Sequence, residues 1–436
     1  MISGLSIAEL HNIFIRHSSI ITDTRKLKRG DIFFALKGDN FNGNIFALQA
    51  LELGAAYAVI DEQPDDDNAN LILVDNVLAT LQQLAKHHRE QFSIPFIGIT
   101  GSNGKTTTKE LINAVLSSAY KTYTTQGNLN NHIGVPLTLL SIKNDAQMAV
   151  IEMGANHQKE IEQYCMWAQP TYAIITNCGK AHLEGFGGVE GVRKAKGELY
   201  DFVRNNSGVA FAYNEYEYFH EMSKGIREVV WYGINEGTVC GKVLSSAPFL
   251  EIALIKGTSF KTIKTHLVGA YNLPNALCAI TIGKYFKVDD EKIKSAIENY
   301  IPSNSRSQLI EVDSNKIILD AYNANPTSMK AAIENFAGLS SNNKILILGV
   351  MMELGAESIH EHADLILLIN KYKWSSVLLV GGDFKNVSHN FLYVNSADEA
   401  AAWLKQQHFQ QAYFLIKGSR SIQLEKVLTA FEISPK

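Results

Sequence analysis

The chain has 436 residues, 46% hydrophobic and 19% charged, with a formal net charge of −4. That length exceeds a single hydrophobic core and implies two to four domains of ordinary soluble composition. The slight acidity excludes the basic footprint of a nucleic-acid binder or a polybasic membrane patch, and no apolar run approaches the roughly 20 residues of a membrane span.

The first ten residues, MISGLSIAEL, lack the basic start and long apolar core of a signal peptide. Four cysteines, Cys165, Cys178, Cys240 and Cys278, show no metal-ligand or CxxC spacing and read as reduced thiols of a cytosolic protein. Residues 1–92 alternate short strands and helices, predicted as strands 31–36, 56–60 and 71–74 and helices 44–53 and 77–92. Between them, 64–69 reads as a loop carrying the acidic run Asp65-Asp66-Asp67. Polar residues gather on two further loops, Thr22-Asp23-Thr24-Arg25 and 38–44, where either binding chemistry or solvated turns would place them.

Phe96 to Ile99 then reads as a buried parallel strand, broken by Gly101-Ser102-Asn103-Gly104. Lys105-Thr106-Thr107 opens a helix with an apolar stripe of Leu111, Ile112, Val115 and Leu116. Strand, glycine loop, Lys-Thr and helix together cradle a polyphosphate. Backbone N–H groups turn inward, the helix N-terminus adds partial positive charge, the lysine reaches the outer phosphates and the first threonine can ligate Mg²⁺. The spacing misses the strict Gly-x4-Gly-Lys-Thr pattern by one place, with Ile99 where the first glycine belongs and Gly98 one residue early.

Three more apolar strands run into polar residues: 148–153 at Glu152, 172–176 at Asn177-Cys178-Gly179, and 208–213 at Asn214-Glu215. Polar C-terminal strand ends interleaved with helices indicate a doubly wound parallel sheet with its ligand crevice along those ends. Residues 229–268 read as an antiparallel patch, followed by helices at 273–285 and 289–299. Pro302 to Gln308 reads as a linker, and strands at 317–319, 345–350, 377–381 and 412–416 build a second doubly wound unit without a second phosphate loop.

Within this frame Glu152 can hold Mg²⁺ opposite Thr106, or be an ion-paired or capping carboxylate. His182 lies in a glycine-rich loop, 178–188, at the expected crevice, and reads as functional. Lys196 stands beside the apolar stripe Val192, Ala195, Leu199 and Phe202, so spacing alone predicts a lysine snorkelling to water. An ammonium repels Mg²⁺, so it would help a metal only if converted into an anion. Asn128, Asn130 and Asn131 form an amide cluster suited to a base edge, a peptide or a tight turn. Asn272 and Asn275 open a helix as caps or as adenine readers.

Taken together, TGSNGKTT (100–107), NLNNHIGVP (128–136), EMGANH (152–157), AHLEGFG (181–187), AKGE (195–198), YNANP (322–326), MELG (352–355) and KGSR (417–420) resemble the Mur ligases over nearly the whole chain. The likeness is strongest to the type that joins D-alanyl-D-alanine to UDP-N-acetylmuramoyl-tripeptide. It implies an α/β protein of three domains: a small UDP-sugar-binding module (1–92), a central P-loop-type ATPase (93–301) and a C-terminal Rossmann-like sheet (302–436). It implies an ADP-forming, monomeric cytoplasmic ligase of peptidoglycan-precursor synthesis that uses ATP and two Mg²⁺ ions. Thr106 and Glu152 would hold one ion, and His182 would help hold the second. Lys196 would be carbamylated, its new anion supporting the metal. ATP would meet Gly101 to Thr107, Asn272, Asn275, Arg306 and Asp320, while Thr24, Arg25, Asn130 and Asn131 would meet the UDP-sugar peptide. Two departures stand out: the family's Phe-Asp-Gly-His is Phe41-Asn42-Gly43-Asn44, and its Asp-Asp is Leu319-Asp320, whose aspartate is the one carried over.

Overall fold

The computed structural model describes residues 1–17, 19–63, 68–303 and 305–433; residues 64–67 of the loop predicted at 64–69, with all of its acidic run, lie outside them. Three large sheets, with a two-stranded ribbon of Lys37–Gly38 and Phe41–Asn42, organise the described residues. The first is five-stranded and wholly parallel, ordered Ile2–Ser3, Leu71–Leu73, Tyr57–Ile60, Ile32–Phe34 and Ile20–Ile21. Its central strands are continuous apolar runs because both faces are covered; Ile32, Phe33 and Phe34 are all buried. The predicted helix 44–53 instead begins as a 3₁₀ turn, Gly43–Phe46, before Ala47–Glu52. Asparagine side chains compete there with the helix: Asn42 Oδ1 accepts from Asn44 N–H, and the Asn44 amide bonds Asp61. The next helix ends at Arg89 rather than Phe92, where the Arg89 guanidinium donates to the carbonyls of Ala168, Phe92 and Gln169.

The second sheet has nine strands in the order Thr262–Val268, Phe249–Lys256, Val239–Ser245, Glu228–Gly233, Val209–Tyr213, Tyr172–Ile175, Phe96–Thr100, Met148–Glu152 and Thr122–Thr124. The expected antiparallel patch at 229–268 needs correction. Glu228–Gly233 pairs parallel with both neighbours, and only the two ladders joining the last three strands in sequence are antiparallel, extending the same sheet. Phe96–Thr100 lies between Met148–Glu152 and Tyr172–Ile175, parallel to both. Their polar C-terminal residues therefore converge at one edge.

The third sheet is ordered Gln308–Val312, Asn315–Asp320, Tyr413–Lys417, Lys344–Gly349, Ser376–Val380 and Leu392–Val394, parallel except for the first pair. Gln308, expected as the end of a linker, instead starts a hairpin strand that turns at Asp313 (φ 50°). Among the described residues no helix is long and apolar enough to cross a membrane, and all four cysteines are free and buried.

Candidate active site

The phosphate loop is fixed by its own backbone and by the neighbouring strand end. Gly101 (φ 145°) and Gly104 (φ 78°) take conformations side chains rarely adopt. Ser102 N–H donates to the Asn177 carbonyl (2.9 Å), Asn103 N–H to Asn177 Oδ1 (3.1 Å), and Thr176 Oγ1 to the Asn103 carbonyl (2.6 Å). A Cβ on Gly101 would sit 2.0 Å from Thr176 Oγ1. Gly101→Ala is therefore expected to lose about 2 kcal/mol of stability by overpacking, measured as a lowered urea midpoint at unchanged slope; an unchanged midpoint would show that the loop is not held by Thr176.

The helix Lys105–Ser117 starts at Gly104 without a side-chain cap, leaving its first N–H groups facing the loop. Lys105 Nζ folds back onto the Gly101 carbonyl at 2.6 Å. Burial lowers its pKa, with Glu152 acting in the opposite sense. Asn275 abuts the loop: its Oδ1 accepts from Thr108 Oγ1 (3.0 Å), and its amide donates to Asn272 Oδ1 (2.9 Å).

Glu152, at the end of the adjacent strand, is 1% exposed. Its Oε1 accepts from Thr106 Oγ1 (3.1 Å) and Asn130 Nδ2 (2.8 Å), while its buried Oε2 has no hydrogen-bond partner. Lys109 Nζ, 4.0 Å from Oε2, donates to the Thr125 carbonyl at 2.7 Å. A buried, unpartnered carboxylate oxygen beside a threonine hydroxyl is a donor set that suits a hard divalent cation. Asn131 serves the turn, its Oδ1 accepting from Ile133 and Gly134 N–H at the start of the next helix.

Lys196 corrects the expectation of a lysine reaching water. It is 1% exposed, with Nζ 3.3 Å from the Ala155 carbonyl and 4.9 Å from the Phe186 ring centre. Burial, then the nearby Lys105 charge, lowers its pKa to about 7. His182 (φ 51°) places Nδ1 2.6 Å from Glu353 Oε2 of the C-terminal domain, close but outside hydrogen-bond geometry.

That domain closes the site. Asn325 Nδ2 donates to Asn103 Oδ1 (2.8 Å), Lys180 N–H donates to Thr327 Oγ1 (3.0 Å), and Lys180 Nζ pairs with Glu361 (2.6 Å). The Arg306 guanidinium lies 3.6 Å over the Tyr322 ring, and Lys417 Nζ holds Asp320 Oδ2 at 2.6 Å. The resulting cavity, about 810 Å³, is lined from Ser102 through Thr107 and by Asn130, Asn131, Glu152, His182, Asn272, Asn275, Arg306 and Asp320. Gly101 and Lys196 are not among its lining residues. Thr24 and Arg25 belong to the N-terminal domain away from it, with Arg25 paired to Asp23. Lys109 and Lys417, both 2% exposed, were not singled out from the sequence. Lys109, one turn beyond Lys105 on the helix, carried the readable signal; Lys417 stood within the KGSR motif without a role.

Models of the Mur ligase family match three stretches: its catalytic domain at 17–89, its middle domain at 99–283 and its glutamate ligase domain at 305–420. The chain is similar to the UDP-N-acetylmuramoyl-tripeptide–D-alanyl-D-alanine ligases of Bacillus subtilis (35% identical over 95% of this chain and 93% of that one) and Escherichia coli (34%, over 97% and 96%). Among solved structures it resembles MurF from Acinetobacter baumannii, with TM-score 0.86 and 32% identity over 95% of this chain and 93% of that one. It shares its fold with a MurF ligase from Thermotoga maritima in complex with ADP, with TM-score 0.84 and 24% identity over 97% and 98% of the two chains.

Proposed function

The chain belongs to the Mur ligase family, and from that premise we propose that it joins D-alanyl-D-alanine to UDP-N-acetylmuramoyl-tripeptide at the expense of ATP. The observation that carries this reading is the shared cavity at the phosphate loop. It brings the phosphate loop, the unpartnered Oε2 of Glu152 and the C-terminal residues Arg306 and Asp320 around one space.

A carboxylate is a poor electrophile, so amide formation at neutral pH requires activation. The terminal carboxylate of the tripeptide takes the γ-phosphoryl group, and the dipeptide amine displaces phosphate from the acyl phosphate. Lys105 and the helix N-terminus follow the charge moving off the γ-phosphate, which is positioning plus electrostatics. Asn272 and Asn275 meet adenine, Asp320 the ribose and Arg306 a phosphate. Mg²⁺, as two ions, would neutralise the phosphate charge when bound; Thr106 and Glu152 would hold one, and His182 with carbamylated Lys196 would support the other. Thr24, Arg25, Asn130 and Asn131 serve the UDP-sugar peptide. On this reading the chain divides at 92/93 and 301/302 and works as a monomer. It acts in the cytoplasm on peptidoglycan precursors, a compartment that suits four free thiols.

Phosphate release measured with ATP and Mg²⁺ is expected to require UDP-N-acetylmuramoyl-tripeptide and D-alanyl-D-alanine together. Release at the same rate with either one omitted would reject this pair of substrates.

A further inference from the structure

We propose that the Glu353 carboxylate, at the seam between the central and C-terminal domains, receives the ammonium group of the incoming dipeptide. This rests on the ligase reading above. The first support is backbone strain. Glu353 (φ 62°) and His182 (φ 51°) are non-glycine residues in the left-handed region, and they meet across the seam with Oε2 and Nδ1 2.6 Å apart. The Glu184 N–H also donates to the Glu353 carbonyl at 3.3 Å. A Cβ on Gly355 (φ 56°) would lie 3.1 Å from that of Glu184. The 353–355 segment is thus pressed against the histidine loop, and such strain persists where the surroundings fix it, commonly at ligand sites.

The second support is charge accounting. An amine near neutral pH arrives as an ammonium and needs an anion to meet it. Of the carboxylates lining the cavity, Glu152 keeps its unpartnered Oε2 for the cation already assigned to it, and Glu160 and Asp320 are held by other groups. Glu152 accepts from Thr106 and Asn130, Glu160 accepts from Asn156 and His157 N–H, and Asp320 holds Lys417. Among the described residues the Glu353 carboxylate has one side-chain partner, His182, and is 48% exposed. His182 itself lines the cavity. An ammonium on Glu353 therefore stands beside the space that the phosphate loop faces. In the bond-making step the amine nitrogen joins the acyl carbon and the carbon–oxygen bond to phosphate breaks. Phosphate leaves with the electron pair and takes one of the two protons the ammonium sheds; solvent takes the other.

The test pairs D-alanyl-D-alanine with hydroxylamine, which is uncharged at pH 8 and traps the acyl phosphate as a hydroxamate. Glu353→Gln is expected to lower kcat/KM for the dipeptide by about 30-fold, the range of a lost charge-assisted hydrogen bond. Hydroxamate formation should stay within about twofold of wild type, because a neutral nucleophile does not need this anion. Glu353→Asp, which keeps the charge, should recover part of the dipeptide rate. Glu361→Gln, which breaks the Lys180–Glu361 pair on the same seam, is the control for closure. Equal losses with both nucleophiles in Glu353→Gln, matching that control, would make Glu353 a latch and overturn the assignment, as would an unchanged dipeptide rate. A wild-type enzyme that forms neither hydroxamate nor amide from the muramoyl tripeptide would overturn the ligase reading and this assignment with it.

Discussion

Lys105→Ala is expected to lower kcat for phosphate release by about 10²–10³-fold while leaving the fold intact. The lysine stands at the mouth of the phosphate loop, where its Nζ donates to the Gly101 carbonyl at 2.6 Å. That bond is intraloop and replaceable by water, so its loss should change stability by about 1 kcal/mol or less. Its catalytic worth is of another order. A preorganised charge in a water-poor site acts on the phosphoryl group where negative charge redistributes in the transition state, and one such donor is worth about 10²–10³ in rate. An isolated ammonium also matches a point charge on phosphate that no neutral neighbour in the loop supplies. Rate and melting curve measured on one preparation decide the matter. Near-normal phosphate release would remove residues 101–107 from the ATP site.

The phosphate loop was legible because its information is local. Glycines at positive φ, a Lys-Thr pair and the switch from an apolar run to a helical stripe all fall within one short window. The displaced first glycine has a structural sense as well. Gly98 faces Leu199 and Pro170, with its virtual Cβ 3.1 Å from each, so it serves the packing of a helix and a turn on the strand, outside the cradle. The parallel sheets were legible too, since strands covered on both faces read as unbroken apolar runs. Where pairing depends on a distant partner, the sequence was silent. Leu392–Val394 is a short edge strand recognisable only from its ladder with Ser376–Val380, and Glu228–Gly233 looked antiparallel until its parallel neighbours were known. Side-chain surroundings are harder still. Lys196 lies beside an apolar stripe, where a lysine ordinarily bends to water; the Ala155 carbonyl and Phe186 ring that enclose it come from other segments. The Asn130 amide likewise finds Glu152 only through the adjacency of a loop and a distant strand end.

Burial of Lys196 gives the second large expectation its physical basis. An amine must be neutral to attack carbon dioxide, and an ordinary lysine is almost wholly protonated at pH 7.5. With a pKa near 7, set first by burial and then by the charge of Lys105, most of Lys196 is neutral at that pH, so carbamylation is accessible to it. The product is an anion, which reverses the sign of a group that would otherwise repel a metal. Lys196→Ala should therefore lose about 100-fold in kcat, the range for removing a group that orients and supports metal ligands. Formate or acetate should restore part of that rate by supplying a carboxylate in the vacated space. Stability gives an independent check with a definite sign. The folded pKa lies below the unfolded one, so between about pH 7 and 10.5 the unfolded chain binds more protons and wild-type stability rises with pH. In Lys196→Ala that contribution to the rise should vanish, as read by urea unfolding at pH 7 and pH 9. Wild-type activity in the variant without additive would remove Lys196 from the site. An unchanged pH slope would mean that the buried amine is not held neutral, and the chemical argument for a carbamate would fail with it.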